Sequence, residues 1–145
     1  MRNAAAADYD RIAPLVDEWW DGREMIDMLP RLFFVHFSET AFVAEDGEDL
    51  CGFLAGFLSQ SKADEAYIHF AGVSPDHRGR GVGRLLYESF FAVAREHSRS
   101  VVRCVTAPIN ERSVAFHRAL GFEIDQVAEG YDGRGGDRVL MSKRV

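Results

Sequence analysis

Residues Tyr67–Leu86 read YIHFAGVSPDHRGRGVGRLL, and the rest of the chain is organised around them. A β-like run over residues 67–73 ends in a Ser-Pro-Asp turn, and a glycine-rich loop follows before an amphipathic helix begins. Glycine lets the backbone approach a ligand closely, and the N-terminus of the next helix adds partial positive charge. The stretch therefore predicts an anion-binding cradle, to which Arg78, Arg80 and Arg84 add charged hydrogen-bond donors.

The chain before this stretch predicts two helices. Residues 1–6 form either a minimal first strand or a frayed end. Asp8 is placed to cap a helix with apolar positions at helical spacing, and Pro14 inside that pattern predicts a late start or a kink. A second helical stretch is expected over residues 24–37, with a break or restart at Pro30.

The strand pattern predicts one sheet with two more helices. Strands are expected at residues 40–45, 50–58, 65–73, 101–106, 122–127 and 138–143, with an Asp-Gly hairpin turn at 46–49. One helix runs from Gly81 to near Ser98, and another opens at Asn110 and stops at Gly121. This order indicates a mixed α/β (α+β) fold in a single domain over residues 1–145, with antiparallel strands early and a crossover later.

Composition narrows the class of protein. The chain has 145 residues, 47% of them hydrophobic, which is enough for a core without metal or disulfides, and its net charge of -6 argues against nucleic acid as a partner. Two distant cysteines, Cys51 and Cys104, fit neither a metal site nor a disulfide framework, and we expect no metal. Reduced cysteines, no apolar signal core and no membrane-length run predict a cytoplasmic protein that does not contact a membrane.

Three kinds of anion site compete for the glycine loop. A nucleotide P-loop needs a lysine after its glycines, and none follows here. A dinucleotide fingerprint needs G-x-G-x-x-G near a first strand, whereas this loop lies in mid-chain with its third glycine misplaced. The third pattern is R-x-x-G-x-G, formed by Arg78, Gly81 and Gly83. Taken alone, a structural turn explains the loop equally well.

The wider context resembles the GNAT N-acetyltransferase superfamily. VSPDHRGRGVGRLL is similar to the family's acyl-CoA pyrophosphate loop, and Asn110–Phe122, NERSVAFHRALGF, is similar to its second signature. The resemblance implies a twisted, mostly antiparallel central sheet, flanked by helices and splayed around an acetyl-CoA site. It implies these cofactor-binding residues: Ala71, Gly72, Val73, Arg78, Gly79, Arg80, Gly81, Val82, Gly83, Arg84, Asn110 and Phe116. Gly72 is compatible with the bulge that splays the strands in this family.

The resemblance also raises the question of the catalytic groups. His117 occupies the position where the family most often has a tyrosine that protonates the leaving thiolate. It either acts on the sulfur, as a general acid or as an N–H donor that stabilises the thiolate, or is a histidine packed on a helix and satisfied by a carbonyl. Tyr131 is an alternative proton donor. For the base we favour Glu65 or His69, acting through water. By strand alternation His69 shares a face with Tyr67 and Ala71.

The implied reaction transfers an acetyl group from acetyl-CoA to the primary amine of a small molecule or peptide. Substrate walls in this family come from the first helices and the last hairpin, which indicates Trp19, Trp20 and Phe33 as substrate-binding residues. For each of them a core position is the simpler reading. A non-catalytic acyl-CoA binding module of the same fold is the alternative function, and a homodimer stays open as an assembly.

Overall fold

The computed structural model describes residues 1–145 as a sheet with helices on both faces. The strands are β1 (Arg2–Asn3), β2 (Ala41–Asp46), β3 (Asp49–Leu58), β4 (Glu65–Val73), β5 (Val101–Thr106), β6 (Glu123–Ala128) and β7 (Arg138–Arg144). The helices are α1 (Asp8–Trp19), α2 (Leu32–Val35), α3 (Val82–Glu96) and α4 (Glu111–Ala119). None of these helices is long and apolar enough to cross a membrane. The mixed α/β architecture is confirmed.

The seven strands lie in the order β1-β2-β3-β4-β5-β7-β6. All neighbouring pairs are antiparallel except β4 and β5, which are parallel. That pair is joined at only three positions, Glu65, Ala66 and Tyr67 of β4, so the two strands separate beyond Tyr67. Residues 68–73 therefore leave a free strand edge about 20 Å long in the middle of the sheet.

A β-bulge at His69 changes which side chains share a face. Ala55 pairs with Phe70 and Gly56 pairs with Ile68, so His69 is the extra residue on β4. Ile68 lies in the core cluster under α3, whereas Phe70 lies in the cluster under α1. The expected common face of Tyr67, His69 and Ala71 is thus wrong, because Ala71 packs on the α3 side. The bulge lies at His69 and not at Gly72.

The N-terminal half differs most from the sequence prediction. Pro14 neither delays nor ends α1. It has no N–H to donate to the Asp10 carbonyl, but both residues are exposed, so water can bind that carbonyl instead. Residues 24–37 break at Pro30 as expected, but they form much less helix than the sequence predicts. They form a 3-10 turn at Ile26–Met28 and the four-residue α2, since Asp17 Oδ1 accepts the backbone N–H groups of residues 25 and 26 and holds the chain in a turn.

The core consists of two clusters, one on each face of the sheet. The larger cluster lies between the sheet and α3, and it is built on Leu86, Phe90 and Phe91. The smaller cluster lies between the sheet and α1, and it contains Phe53 and Trp19. The free edge of β4 runs between these clusters, so a ligand on that edge is supported from both sides.

Candidate active site

A cleft of about 680 Å³ opens at the free edge of β4. It runs from β4 past the glycine loop to the first turns of α3 and α4. Every predicted cofactor-binding residue except Arg80 lines this cleft: Ala71, Gly72, Val73, Arg78, Gly79, Gly81, Val82, Gly83, Arg84, Asn110 and Phe116. Arg80 is exposed and lies outside the lining. The structure therefore brings residues from two distant parts of the chain to one site.

The glycine loop is open where an anion would sit. Gly79 and Gly81 have φ angles of +78° and +83°, a conformation that favours glycine, and a Cβ atom added at either would meet nothing within 4 Å. Gly83 serves packing instead, because its Cβ would lie 3.0 Å from the Phe116 ring. Gly83 thus lets α4 approach α3 closely.

Arg78 has a structural partner that the sequence did not reveal. Its Nη2 donates a 2.6 Å hydrogen bond to the carbonyl oxygen of Trp19, at the C-terminal end of α1. A cation at this helix end is favoured by the helix dipole. Arg78 therefore ties the loop to α1, while Arg84 in the cleft lining keeps a guanidinium near the loop.

Asn110 is the N-cap of α4, as the sequence predicts. Its Oδ1 accepts the backbone N–H of Ser113 at 3.2 Å. This cap fixes the start of α4 beside the cleft and leaves the Asn110 side-chain NH2 without a partner within the protein. The amide can still donate hydrogen bonds to a ligand.

His117 lies buried in the cleft wall with both ring nitrogens engaged. Nδ1 is 2.7 Å from the carbonyl oxygen of Ser113, and Nε2 is 2.8 Å from the hydroxyl of Tyr87. Burial lowers the pKa of His117, partly offset by the Ser113 hydrogen bond, so the ring is neutral at pH 7. The arrangement matches the carbonyl-satisfied histidine that the sequence left as one of two alternatives.

Of the two candidate bases, Glu65 is occupied by an ion pair. Both of its carboxylate oxygens accept from Arg103 Nε, at 2.8 and 2.9 Å. Arg103 also reaches Asp125 at 3.2 Å, which extends the network across the end of the sheet where β4 and β5 are joined. Glu65 therefore braces this end of the sheet through its ion pair with Arg103.

His69 has the features of an oriented base. Its Nε2–H donates to the carbonyl oxygen of Met28, and its ring stacks on Phe33 with the centroids 4.4 Å apart and an interplanar angle of 9°. Nδ1 is left with a free lone pair. Burial lowers the pKa of His69, against weaker upward effects of the Met28 hydrogen bond and Asp132, so the ring is neutral at pH 7.

The predicted substrate residues divide between the core and the cleft. The Trp19 ring is buried 6.0 Å from Phe53 in the core, and the residue also contributes to the cleft lining, where its carbonyl binds Arg78. Trp20 is half-buried and lines the cleft, where its ring lies so close to Gly72 that an added Cβ would be 2.5 Å from it. Phe33 covers His69 outside the cleft.

Tyr131 stands apart from the cleft. It is exposed in the β6–β7 loop and does not line the cleft. Its neighbour Asp132 is held by Arg138 at 2.8 Å, and both lie near Tyr67 on the α1 face of the sheet. The structure thus does not bring Tyr131 and His117 together as alternative donors.

The comparison with known families decides the class of the protein. A family model described as the acetyltransferase (GNAT) family matches residues 6–122, which include β4, the glycine loop and all of α4. The chain belongs to the GNAT family.

Relatives with assigned names give the same class. An L-2,4-diaminobutyric acid acetyltransferase from Shouchella clausii is 32% identical over 87 residues, which is 59% of this chain and 48% of the relative. The chain thus spans about half the length of the curated relatives that it matches.

Solved GNAT structures show the same fold. A ribosomal-protein-alanine N-acetyltransferase from Brucella melitensis superimposes with a TM-score of 0.77 at 19% identity, over 99% of this chain and 98% of that one. A phosphinothricin acetyltransferase from Sinorhizobium meliloti, solved with acetyl-CoA, gives a TM-score of 0.72 at 20% identity, over 99% and 86% of the two chains.

Two groups in this GNAT site escaped the sequence analysis. Tyr87 comes four residues after Gly83, so it lies on the helix face that approaches α4, and this spacing was the available signal. The Met28 carbonyl that orients His69 carried no signal, because a backbone oxygen in a turn has no sequence signature. Its position depends on the turn that Asp17 holds.

Proposed function

We propose that residues 1–145 form a single acyltransferase domain that moves an acetyl group from acetyl-CoA to a primary amine in a ternary complex. The observation that carries the proposal is the free edge of β4, which runs without a partner strand from residue 68 into the open glycine cradle. An extended ligand with amide groups and a phosphate end matches this edge, because the edge offers strand-type hydrogen bonds and the cradle offers backbone N–H groups.

The residues present fit acetyl-CoA. Gly79 and Gly81 keep the cradle free of side chains, and Arg84 adds positive charge. The backbone of residues 71–73 faces the cleft as a free strand edge, and the Asn110 amide is placed to donate to the cofactor arm. When bound, acetyl-CoA supplies an acyl group activated as a thioester. The protein residues hold this group and exclude water from it.

His69 is the proposed base. The acceptor amine loses a proton as it forms the new bond to carbon, and Nδ1 of His69, on the α1 face of the sheet, has no hydrogen-bond partner in the protein and can accept it. His69 lies where β4 loses its pairing with β5, outside the cofactor cleft itself, so the proposed proton transfer runs through water. The Met28 carbonyl fixes the tautomer, so the lone pair keeps one direction.

Aromatic side chains and a carboxylate form the proposed acceptor surface on this face. The Phe57 and Tyr67 rings stack at 5.3 Å, Phe33 covers His69, and Asp132 lies in the loop beside them. Such a surface suits an amine with an apolar body, because the ammonium group is attracted to the faces of the rings. A small diamino compound and a peptide N-terminus both fit this description.

Two measurements test the proposal. In a thermal-shift assay acetyl-CoA and CoA should raise Tm while ATP does not, because only a ligand that binds the native state stabilises it. Release of free thiol is then followed over a panel of small amines and peptides. Stabilisation by ATP alone would refute an acyl-CoA site. Cofactor binding without amine-dependent thiol release would favour the second candidate, a non-catalytic acyl-CoA module. That candidate is tested because both ring nitrogens of His117 already have hydrogen-bond partners in the protein.

A further inference from the structure

A buried pair of polar aromatic groups lies in the wall of the cofactor cleft. Tyr87 on α3 and His117 on α4 both line the cleft, and their relative exposures are 5% and 7%. The Tyr87 hydroxyl lies 2.8 Å from His117 Nε2. The aromatic rings of Phe116 and Phe122 surround the pair, with centroids 5.2 Å from Tyr87 and His117 respectively. Packing therefore restricts both side chains to one arrangement.

The partners of His117 determine where its proton lies. Nδ1 is 2.7 Å from the backbone carbonyl oxygen of Ser113, which only accepts hydrogen bonds, and 3.3 Å from the hydroxyl of the same residue, which is the longer and weaker contact. Nδ1 therefore carries the proton. A neutral imidazole has a single N–H, so Nε2 is an acceptor and the Tyr87 hydroxyl donates to it. In this state His117 has no N–H to direct at a ligand in the cleft.

The surroundings favour the uncharged pair. Burial lowers the pKa of His117 and raises the pKa of Tyr87 well above its usual value, so neither group ionises readily. Other titratable groups on the elements packed around the pair are Cys104 on β5 and Lys143 on β7, whose ammonium lies 5.7 Å from the Phe91 centroid. No carboxylate pairs with His117 to hold a second proton.

We infer that Tyr87 is a positioning residue that fixes His117 with its proton on Nδ1, so that His117 forms a wall for the cofactor arm and does not protonate the leaving sulfur. This inference rests on the proposed function. The reaction does not require His117 to protonate the leaving sulfur. A thiol has a pKa of about 8.5, so sulfur can leave as the thiolate. The amine proton passes to Nδ1 of His69 and then to water, which later supplies a proton to sulfur.

Nuclear magnetic resonance of ¹⁵N-histidine-labelled protein tests the proton position without any turnover. We expect the wild-type His117 to show a protonated Nδ1 and an unprotonated Nε2 between pH 6 and 8. In Tyr87→Phe the donor to Nε2 is lost, so the His117 pKa should rise by about half a unit to one unit. Tyr9→Phe, which removes a hydroxyl on α1 outside the cleft, is the matched control and should leave the His117 signals in place. A protonated Nε2 in the wild type would overturn the inference.

The kinetic test uses the double variant Tyr87→Phe/His117→Phe. Replacing both partners by apolar rings leaves no buried polar atom unpaired, so the protein should still fold. We expect KM for acetyl-CoA to rise about 3- to 10-fold from the altered wall, while the pH dependence of turnover retains its wild-type shape. If turnover instead drops by about two orders of magnitude or more, or the profile loses a basic limb, the pair donates a proton and the inference is wrong. Loss of the thermal shift by CoA in the wild type would instead refute the proposed function.

Discussion

Replacing His69 by glutamine removes the proposed base while keeping a hydrogen-bond donor for the Met28 carbonyl. General-base catalysis contributes roughly 10²- to 10⁴-fold, or about 3–5 kcal/mol of barrier, so kcat should fall by that factor. The glutamine amide retains most of the local contact, and the Phe33 stack is the main loss, so Tm should fall by only a few degrees. Steady-state thiol release with an accepted amine measures the first effect.

Glu65→Gln is the matched control, because Glu65 is the second candidate base on β4. The substitution weakens the pair with Arg103, which is 44% exposed, so the loss is at most about 1 kcal/mol and about 3 °C in Tm. We expect kcat to change far less than in His69→Gln. The reverse ranking, with Glu65→Gln the more damaging to kcat, would refute the assignment of His69.

The pH dependence of kcat/KM is an independent test of His69 as the base. Because burial lowers the His69 pKa below 6.5, the base is present in its neutral form at pH 7 and is lost as the pH falls through the folded pKa. The wild-type kcat/KM should therefore show an acidic limb below pH 6.5. The free energy of unfolding should also fall as the pH drops through this pKa, because protonation places a charge on a largely buried ring. An acidic limb of unchanged midpoint in His69→Gln contradicts the assignment.

Substitutions at three further positions test the cleft. Gly72→Ala places a Cβ 2.5 Å from the Trp20 ring, and differential scanning calorimetry should show a loss of about 1–3 kcal/mol; a Tm equal to wild type would mean that Trp20 moves freely. Gly81→Glu introduces a carboxylate into the cradle and should abolish the thermal shift by CoA, so an undiminished shift would contradict the cradle. Asn110→Ala removes the cap bond to Ser113 and should cost about 1 kcal/mol in urea unfolding, whereas Asn110→Ser should recover most of it.

Local patterns predicted the central strands well. β4 and β5 have the bounds expected from the sequence, because apolar and β-branched runs there end at clear breaks, Ser74-Pro75 and Pro108. Asn110 caps α4 as expected, since a cap depends on a side chain and a backbone group three residues away. Such features are decided within a few residues, and a sequence displays them directly.

The failures lie where tertiary contacts override local preference. Residues 24–37 are rich enough in apolar side chains for a helix, but the Asp17 carboxylate accepts two backbone N–H groups at its start and Pro30 interrupts it. The Arg78 side chain, in the cleft lining, also binds a carbonyl 59 positions away in sequence. Neither partner is visible from local spacing, because each depends on how α1 lies across the sheet.

The bulge at His69 determines both the shape of the cleft and the position of the proposed base. Pairing with β5 ends at Tyr67, and the extra residue in β4 follows two positions later, so the strand bends just where its edge becomes free. Without the bulge, regular alternation would place Phe70 on the α3 side, away from Trp20, whose ring lies 4.7 Å from it. A single inserted residue thus keeps His69 and Phe70 together on the α1 face, and turns the backbone of residues 71–73 into the wall of the cleft.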